Sequence, residues 1–325
     1  MPLPVLLTGA SGFIGSALHA SLSAAGLQVR CLTRRPEEAR RRWPDQDWVG
    51  GDVGDPSSLS RAMAGCRSAY YLVHGMGTAR PDWADEELRW AEDFADVAGA
   101  AGLERIVYLG GVAPRGPPSA HLRARLMTGE ALRSGPVRCL ELRAGMIIGA
   151  GSASWTIVRD LAARLPAMVL PAWLAHRSEP VALDDVVAAL AAAGRIELEE
   201  STWWDLPGPE ALSGSDILLR IAAVMGRRPL LVRIPLVTPR LSSHWIRLVT
   251  RADHVLAREL VEGLTSDLVG TRPGFWRAAG LPAPRPLEEA ARLALAAEAG
   301  SIPPSGRLAE AVAGWLTRRA GPPRP

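Results

Sequence analysis

The chain has 325 residues, 48% of them hydrophobic, with 37 basic and 34 acidic side chains spread along its length for a net charge of +3. That composition gives ample core for one large domain or two modest ones, and it excludes a disordered chain and a nucleic-acid footprint, which needs basic residues clustered on one face. No lysine occurs anywhere, which excludes Schiff-base chemistry and lysine-assisted proton transfer.

In chain order, short apolar runs at 5–8, 29–33, 48–50, 69–73, 106–109 and 137–148, the last partly irregular, alternate with helical patterns at 13–25, 36–42, 56–64, 83–101 and 119–134. This alternation predicts an α/β fold with a doubly wound parallel sheet, whose ligands bind at the carboxyl ends of the strands where the topology switches. After residue 151 the pattern loosens. A helix at 154–165 precedes a Pro-rich turn, and EPVALDDVVAALAAAG (179–194) reads as a short strand, Asp184 as N-cap, and a helix ended by Gly194. TWWDLPGPE (202–210) predicts a strand, SGSDILLRIAAVMG (213–226) a capped helix, and PLLVRIP (229–235) another strand. Residues 236–285, rich in Trp, Arg and Pro, give weak periodicity, and 286–320 read as helical with a break at 300–306. The expected division is a cofactor domain over 1–150, with 181–195 packing back onto it, and a smaller α+β substrate region over 151–325.

The three cysteines, Cys31, Cys66 and Cys139, lie far apart in apolar runs and read as buried free thiols in a reducing compartment. No Cys/His spacing suits a metal. The N-terminus lacks the pattern of a signal peptide, and the apolar stretch 161–175 is short and broken by Arg164, Pro166 and Pro171. A cytoplasmic protein is the expectation, as monomer or homodimer.

LLTGASGFIGSAL (6–18) places Gly9, Gly12 and Gly15 between the first strand and the first helix. Gly9 permits a tight turn, Gly12 lets backbone approach a pyrophosphate, and Gly15 lets the helix pack close to the sheet. The glycine triplet alone is weak; in this strand–helix context it is specific for a dinucleotide. After the second strand, VRCLTRRPEE offers Thr33, Arg34 and Arg35 and no acid before Glu37. A ribose 2′-hydroxyl is met there by Asp or Glu and a 2′-phosphate by Arg, so the expected cofactor is NADP(H) rather than NAD(H). Asp52, in VGGDVGD, is placed to reach the adenine amine; Asp55, before Pro56, reads equally well as a helix cap.

The motifs TGASGFIG, GDVGD, RIVYLGG (105–111), ELRAGMIIGAGSAS (141–154) and PVALDDV (180–186) resemble those of the extended and atypical short-chain dehydrogenase/reductases. AYYLVHGM (69–76), the AHLRAR segment and LVTPRLSSHW (236–245) are similar to a bacterial subgroup joining an NmrA-like NAD(P)-binding domain to a C-terminal region of unassigned function. The resemblance implies a Rossmann-type sheet. It extends the expected cofactor contacts to Thr8, Ser11, Phe13 and Ile14 in the loop, Val53 beside Asp52, and Val73, His74 and Gly110 at later strand ends.

In that family a Tyr-x-x-x-Lys pair transfers the proton and holds the nicotinamide ribose, with a Ser on the preceding strand. Here the tyrosines are Tyr70, Tyr71 and Tyr108, none followed by the required residue, and the strand that would supply the Ser ends in Gly110–Gly111. His121 and Arg125 have the pair's spacing at the corresponding place, and i and i+4 share a helix face. Two readings follow. In one, His121, with an ordinary pKa of about 6.5, supplies a proton while NADPH reduces a carbonyl, imine or activated alkene; Arg125 positions the ribose, and His74 or Tyr108 is an alternate donor. In the other, the pair fixes a loop and the protein is a non-catalytic NADP(H) sensor or scaffold. A proton drawn from water is a third route.

MIIGAGSASW (146–155), PAWLAHRSEP (171–180) and the Trp203–Trp204 pair supply aromatic and apolar surface with few charges, consistent with a small-molecule substrate that is bulky and largely apolar or aromatic rather than a nucleotide sugar; core packing is the alternative for most of the tryptophans. The stretch 244–260 interleaves Arg with Trp, Ile, Leu and Val, and reads as either a membrane-surface helix or a helix closing the cleft.

Overall fold

Strand β1 (Val5–Leu7) is buried on both faces, as a central strand of a parallel sheet must be. The computed structural model describes residues 3–74, 83–164, 167–233 and 266–301. From β1 the chain runs through α1 (Phe13–Ala24), β2 (Val29–Thr33), α2 (Pro36–Arg42), β3 (Asp47–Gly50), α3 (Pro56–Met63), β4 (Ser68–Tyr71), α4 (Trp83–Ala100), β5 (Arg105–Gly111), α5 (Ala120–Ser134) and β6 (Cys139–Ala144). Next come β7 (Ile147–Ile148), α6 (Ala153–Arg164), β8 (Ala167–Leu170), β9 (Arg177–Ser178), β10 (Val181–Ala182), α7 (Leu183–Ala193), β11 (Thr202–Leu206), β12 (Leu212–Ser213), α8 (Gly214–Val224), β13 (Leu230–Arg233), α9 (Phe275–Ala278) and α10 (Leu287–Ser301).

Seven strands form one sheet in the order β11-β6-β5-β4-β1-β2-β3, and every pairing in it is parallel. The chain leaves β1 toward β2 in one direction and returns to β4 in the other, so the switch point lies between β1 and β4. Strand alternation divides the core. Leu7, Tyr70, Val107, Leu109 and Leu142 pack toward Leu18 and Leu22 of α1 and Val186 and Leu190 of α7. Leu6, Ala69, Tyr71, Ile106 and Tyr108 pack toward Leu59 of α3, Phe94 and Ala98 of α4, and Leu132 of α5. A third cluster joins Trp155 of α6, Ile217 and Ile221 of α8, and Leu287 and Ala291 of α10 to Ile148 and Ala182.

Two expectations are corrected. The run 137–148 is two strands, β6 and β7, in different sheets. Asp184 is not an N-cap: Ala182 holds that position without a side-chain bond, and Asp184 and Asp185 lie in the first turn of α7, where carboxylates favour the helix dipole. Asp185 instead accepts from the backbone N–H of Arg285 at 2.7 Å. Asp55 does cap α3, accepting from Ser57 N at 3.0 Å. The three cysteines are free and buried. Among the described residues no helix is long and apolar enough to cross a membrane; the stretches 236–245 and 244–260 lie outside them.

Candidate active site

The end of β1 is tied to the end of β4. Thr8 Oγ1 donates to Tyr70 O at 3.1 Å and accepts from Leu72 N at 3.0 Å. Gly9 follows in the left-handed region (φ 67°), and a Cβ there would lie 2.6 Å from Leu72 O. A Cβ at Gly15 would lie 2.1 Å from Gly9 O, so α1 approaches the loop as closely as only glycine allows. Gly12 is the N-cap of α1, no side chain caps it, and no carboxylate occupies the first turn. The first-turn N–H groups of α1 therefore have no side-chain acceptor, which suits a pyrophosphate and leaves room for one at an exposed Gly12. Ser11 is exposed, Phe13 and Ile14 are half-buried, and a Cβ at Gly149 would come within 3.1 Å of the Phe13 ring, so the loop after β7 closes on the start of α1.

Beyond β2, Arg34 is exposed and unpaired among the described residues. Arg35 sits at the N-cap position of α2, with its N–H on Thr33 Oγ1 (3.2 Å) and its guanidinium 3.4 Å from Glu38 in an exposed pair. Asp52 uses one carboxylate oxygen to accept from Gly54 N at 3.0 Å. Val53 is buried beside it.

Ser119 caps α5 by accepting from Leu122 N at 3.4 Å, and this sets His121 and Arg125 one turn apart on the face toward β4 and β5. Arg125 Nη2 donates to Leu109 O and to His74 Nε2, each at 3.1 Å. The Tyr108 hydroxyl donates to the backbone carbonyl of Arg125 at 3.1 Å. Trp83, the first residue of α4, stacks on His121 with ring centroids 6.4 Å apart and planes 30° apart. Gly111 leaves space for this helix: a Cβ there would meet Leu122 Cδ2 at 3.2 Å and Arg125 Cδ at 3.5 Å. Among the described residues, two buried polar atoms in the cluster have no hydrogen-bond partner, His121 Nδ1 and Arg125 Nε.

The electrostatics constrain each of the three candidate proton donors. Burial, reinforced by the Arg125 charge, pushes the His121 pKa down to about 3, so it is neutral at physiological pH. His74 is lowered well below its usual value by burial, then by Arg125 and His121. Because a guanidinium carries donors alone, His74 Nε2 accepts in its bond with Arg125. Tyr108 is fully buried, its pKa is raised by burial, and its hydroxyl proton is committed to Arg125 O.

Gly110 is explained from the other side. A Cβ there would fall 2.5 Å from Oε1 of Glu141, a fully buried carboxylate that accepts from Arg143 Nε (2.8 Å) and Arg133 Nε (2.9 Å). Val73 is half-buried against the cluster around Tyr71 and Tyr108. Three tryptophans of the expected aromatic surface make packing contacts, the alternative reading for them. Trp155 is fully buried with its indole N–H on Glu298, while Arg143 lies 4.1 Å over Trp203 and Arg272 lies 5.1 Å over Trp204. No spacing in the sequence links Trp83 to His121.

A family profile described as NAD(P)H-binding matches residues 9–163. The chain is 30% identical over 245 residues to a ceramide reductase of Caulobacter vibrioides, covering 71% of this chain and 73% of that one. In fold it is similar to the triphenylmethane reductase of Citrobacter sp., solved with NADP(H), at 17% identity, TM-score 0.69, and coverage of 90% and 99% of the two chains. A nucleoside-diphosphate-sugar epimerase from Staphylococcus aureus gives TM-score 0.70 at 14% identity, covering 89% of this chain and all of that one. With the glycine loop at the β1–β4 switch point and reductases among its relatives, the chain belongs to the extended, NmrA-like short-chain dehydrogenase/reductases, a family of NAD(P)H-binding oxidoreductases.

Proposed function

We propose that the chain is an NADP(H)-dependent reductase of bulky, largely apolar carbonyl compounds that uses His121 and Arg125 in place of a Tyr–Lys pair. The observation that carries this reading is the pair of unpartnered buried nitrogens, His121 Nδ1 and Arg125 Nε, on one face of α5. Leaving a buried donor unpaired costs about 1–3 kcal/mol. Two such atoms on one helix face support a site where ligand oxygens complete the bonding. The site also connects to the glycine loop, since Gly9 packs on Leu72, two residues before His74.

The first turn of α1 would hold the pyrophosphate, Arg34 the 2′-phosphate, Asp52 the adenine amine through its free oxygen, and Arg125 the nicotinamide ribose. When bound, the cofactor supplies a hydride. Neutral His121, as its Nδ1–H tautomer, donates a hydrogen bond to the substrate oxygen, and the positive charge of Arg125 favours the negative charge that builds there. A neutral imidazole is too weak an acid to surrender its proton outright, so water completes the alcohol. The same positive charge opposes an iminium, which arrives cationic, so a carbonyl is favoured over an imine. The relative named ceramide reductase supports a bulky apolar substrate.

Fluorescence titration with NADPH and NADH, followed by NADPH oxidation with a panel of long-chain and aromatic ketones, aldehydes and quinones, tests the proposal. Tighter binding of NADPH and turnover of a hydrophobic carbonyl are the expected results. NADPH binding without oxidation of any panel member would replace the reductase with a sensor.

A further inference from the structure

The usefulness of Arg125 depends on how its guanidinium is held. Nη2 is fixed between two acceptors, Leu109 O and His74 Nε2, while Nε remains free. No carboxylate pairs with Arg125 among the described residues. The Tyr108 ring meets His74 edge-on at 6.0 Å and 65°, and the Tyr108 hydroxyl holds the Arg125 backbone, so the arginine is anchored at both ends of its side chain.

The chemistry of the anchor is specific. An Asp or Glu in the place of His74 would hold the guanidinium more firmly, in a charge-assisted pair. It would also cancel most of the positive charge. A neutral imidazole accepting through Nε2 orients the guanidinium and leaves its charge for a ligand oxygen. We infer that His74 is a positioning residue that aims Arg125 without neutralising it. This deepens the function proposed above and rests on Arg125 belonging to that site.

The test compares wild type with His74→Gln, His74→Leu, His74→Glu and Arg125→Met, all checked for folding by circular dichroism. NADPH dissociation constants come from fluorescence, and kcat and KM from the most active carbonyl of the panel. His74→Gln, whose Oε1 is a neutral acceptor, should stay within about threefold of wild type, whereas His74→Leu should lose kcat on the order of 10- to 100-fold with a smaller change in KM. His74→Glu should lose at least as much, although it restores a partner for Arg125. Wild-type turnover in His74→Glu would overturn the inference, as would an unchanged His74→Leu. Should His74→Leu fail to fold, the contrast between Gln and Glu decides. If Arg125→Met changes neither turnover nor NADPH affinity, the site reading fails and this inference with it. If Arg125→Met is impaired while the His74 series is flat, this inference alone fails.

Discussion

The hydroxyl of Tyr108 donates to the backbone carbonyl of Arg125 at 3.1 Å, joining β5 to the middle of α5. Tyr108→Phe keeps the ring against Tyr71 and removes that bond. The expected cost is about 0.5–1.5 kcal/mol in urea unfolding, with turnover reduced modestly. Collapse of turnover in a stably folded Tyr108→Phe would make the hydroxyl a proton donor and contradict its role as a brace.

Glu141 is fully buried and held by Arg133 and Arg143. Glu141→Leu strands the buried Arg143 guanidinium and leaves Arg133 only its exposed partner Glu130, so it should cost about 3–5 kcal/mol. Gly129→Ala tests the same carboxylate by crowding, since its Cβ would come within 2.4 Å of Oε1. Urea unfolding measures both, and an unchanged midpoint in either would show that the network yields more easily than its packing implies.

Arg34, at the end of β2, is exposed and has no partner among the described residues. Arg34→Ala should weaken NADPH binding by about 1.5–3 kcal/mol, tenfold or more in Kd, and leave NADH binding unchanged. Equal losses for both cofactors would place Arg34 away from the 2′-phosphate.

Acid should destabilise the fold partly through His121. Its folded pKa of about 3 lies below the ordinary 6.5, so between those values the unfolded chain binds a proton that the folded chain does not. Stability from this group is therefore full above pH 6.5 and falls as pH drops toward 3, by at most about 1.4 kcal/mol per pH unit. His74, lowered in the same direction, adds to the slope. Unfolding near pH 7 and near pH 5 should show a smaller acid loss in His121→Gln than in wild type; identical losses would mean that His121 titrates normally when folded.

The parts legible in the sequence are those with a local period. The glycine spacing and the strand–helix alternation locate the phosphate loop, and the i, i+4 spacing puts His121 and Arg125 on one face. Contacts made by tertiary closure leave no such mark. His74 and Arg125 are 51 residues apart, and the meeting of Trp83 with His121 depends on how α4 docks beside α5. The depressed pKa of His121 follows from that same enclosure, so an ordinary histidine was the reading available before folding. Trp203 and Trp204 suit both a pocket and packing, and their contacts with Arg143 and Arg272, distant in sequence, leave no local mark.

The most direct test of the account is NADPH oxidation by His121→Phe with the best carbonyl substrate, alongside NADPH affinity by fluorescence. With the donor to the substrate oxygen gone, kcat should fall by about 10²–10³-fold while NADPH still binds with near wild-type affinity. Wild-type turnover in His121→Phe would contradict the assignment of the reaction to this site.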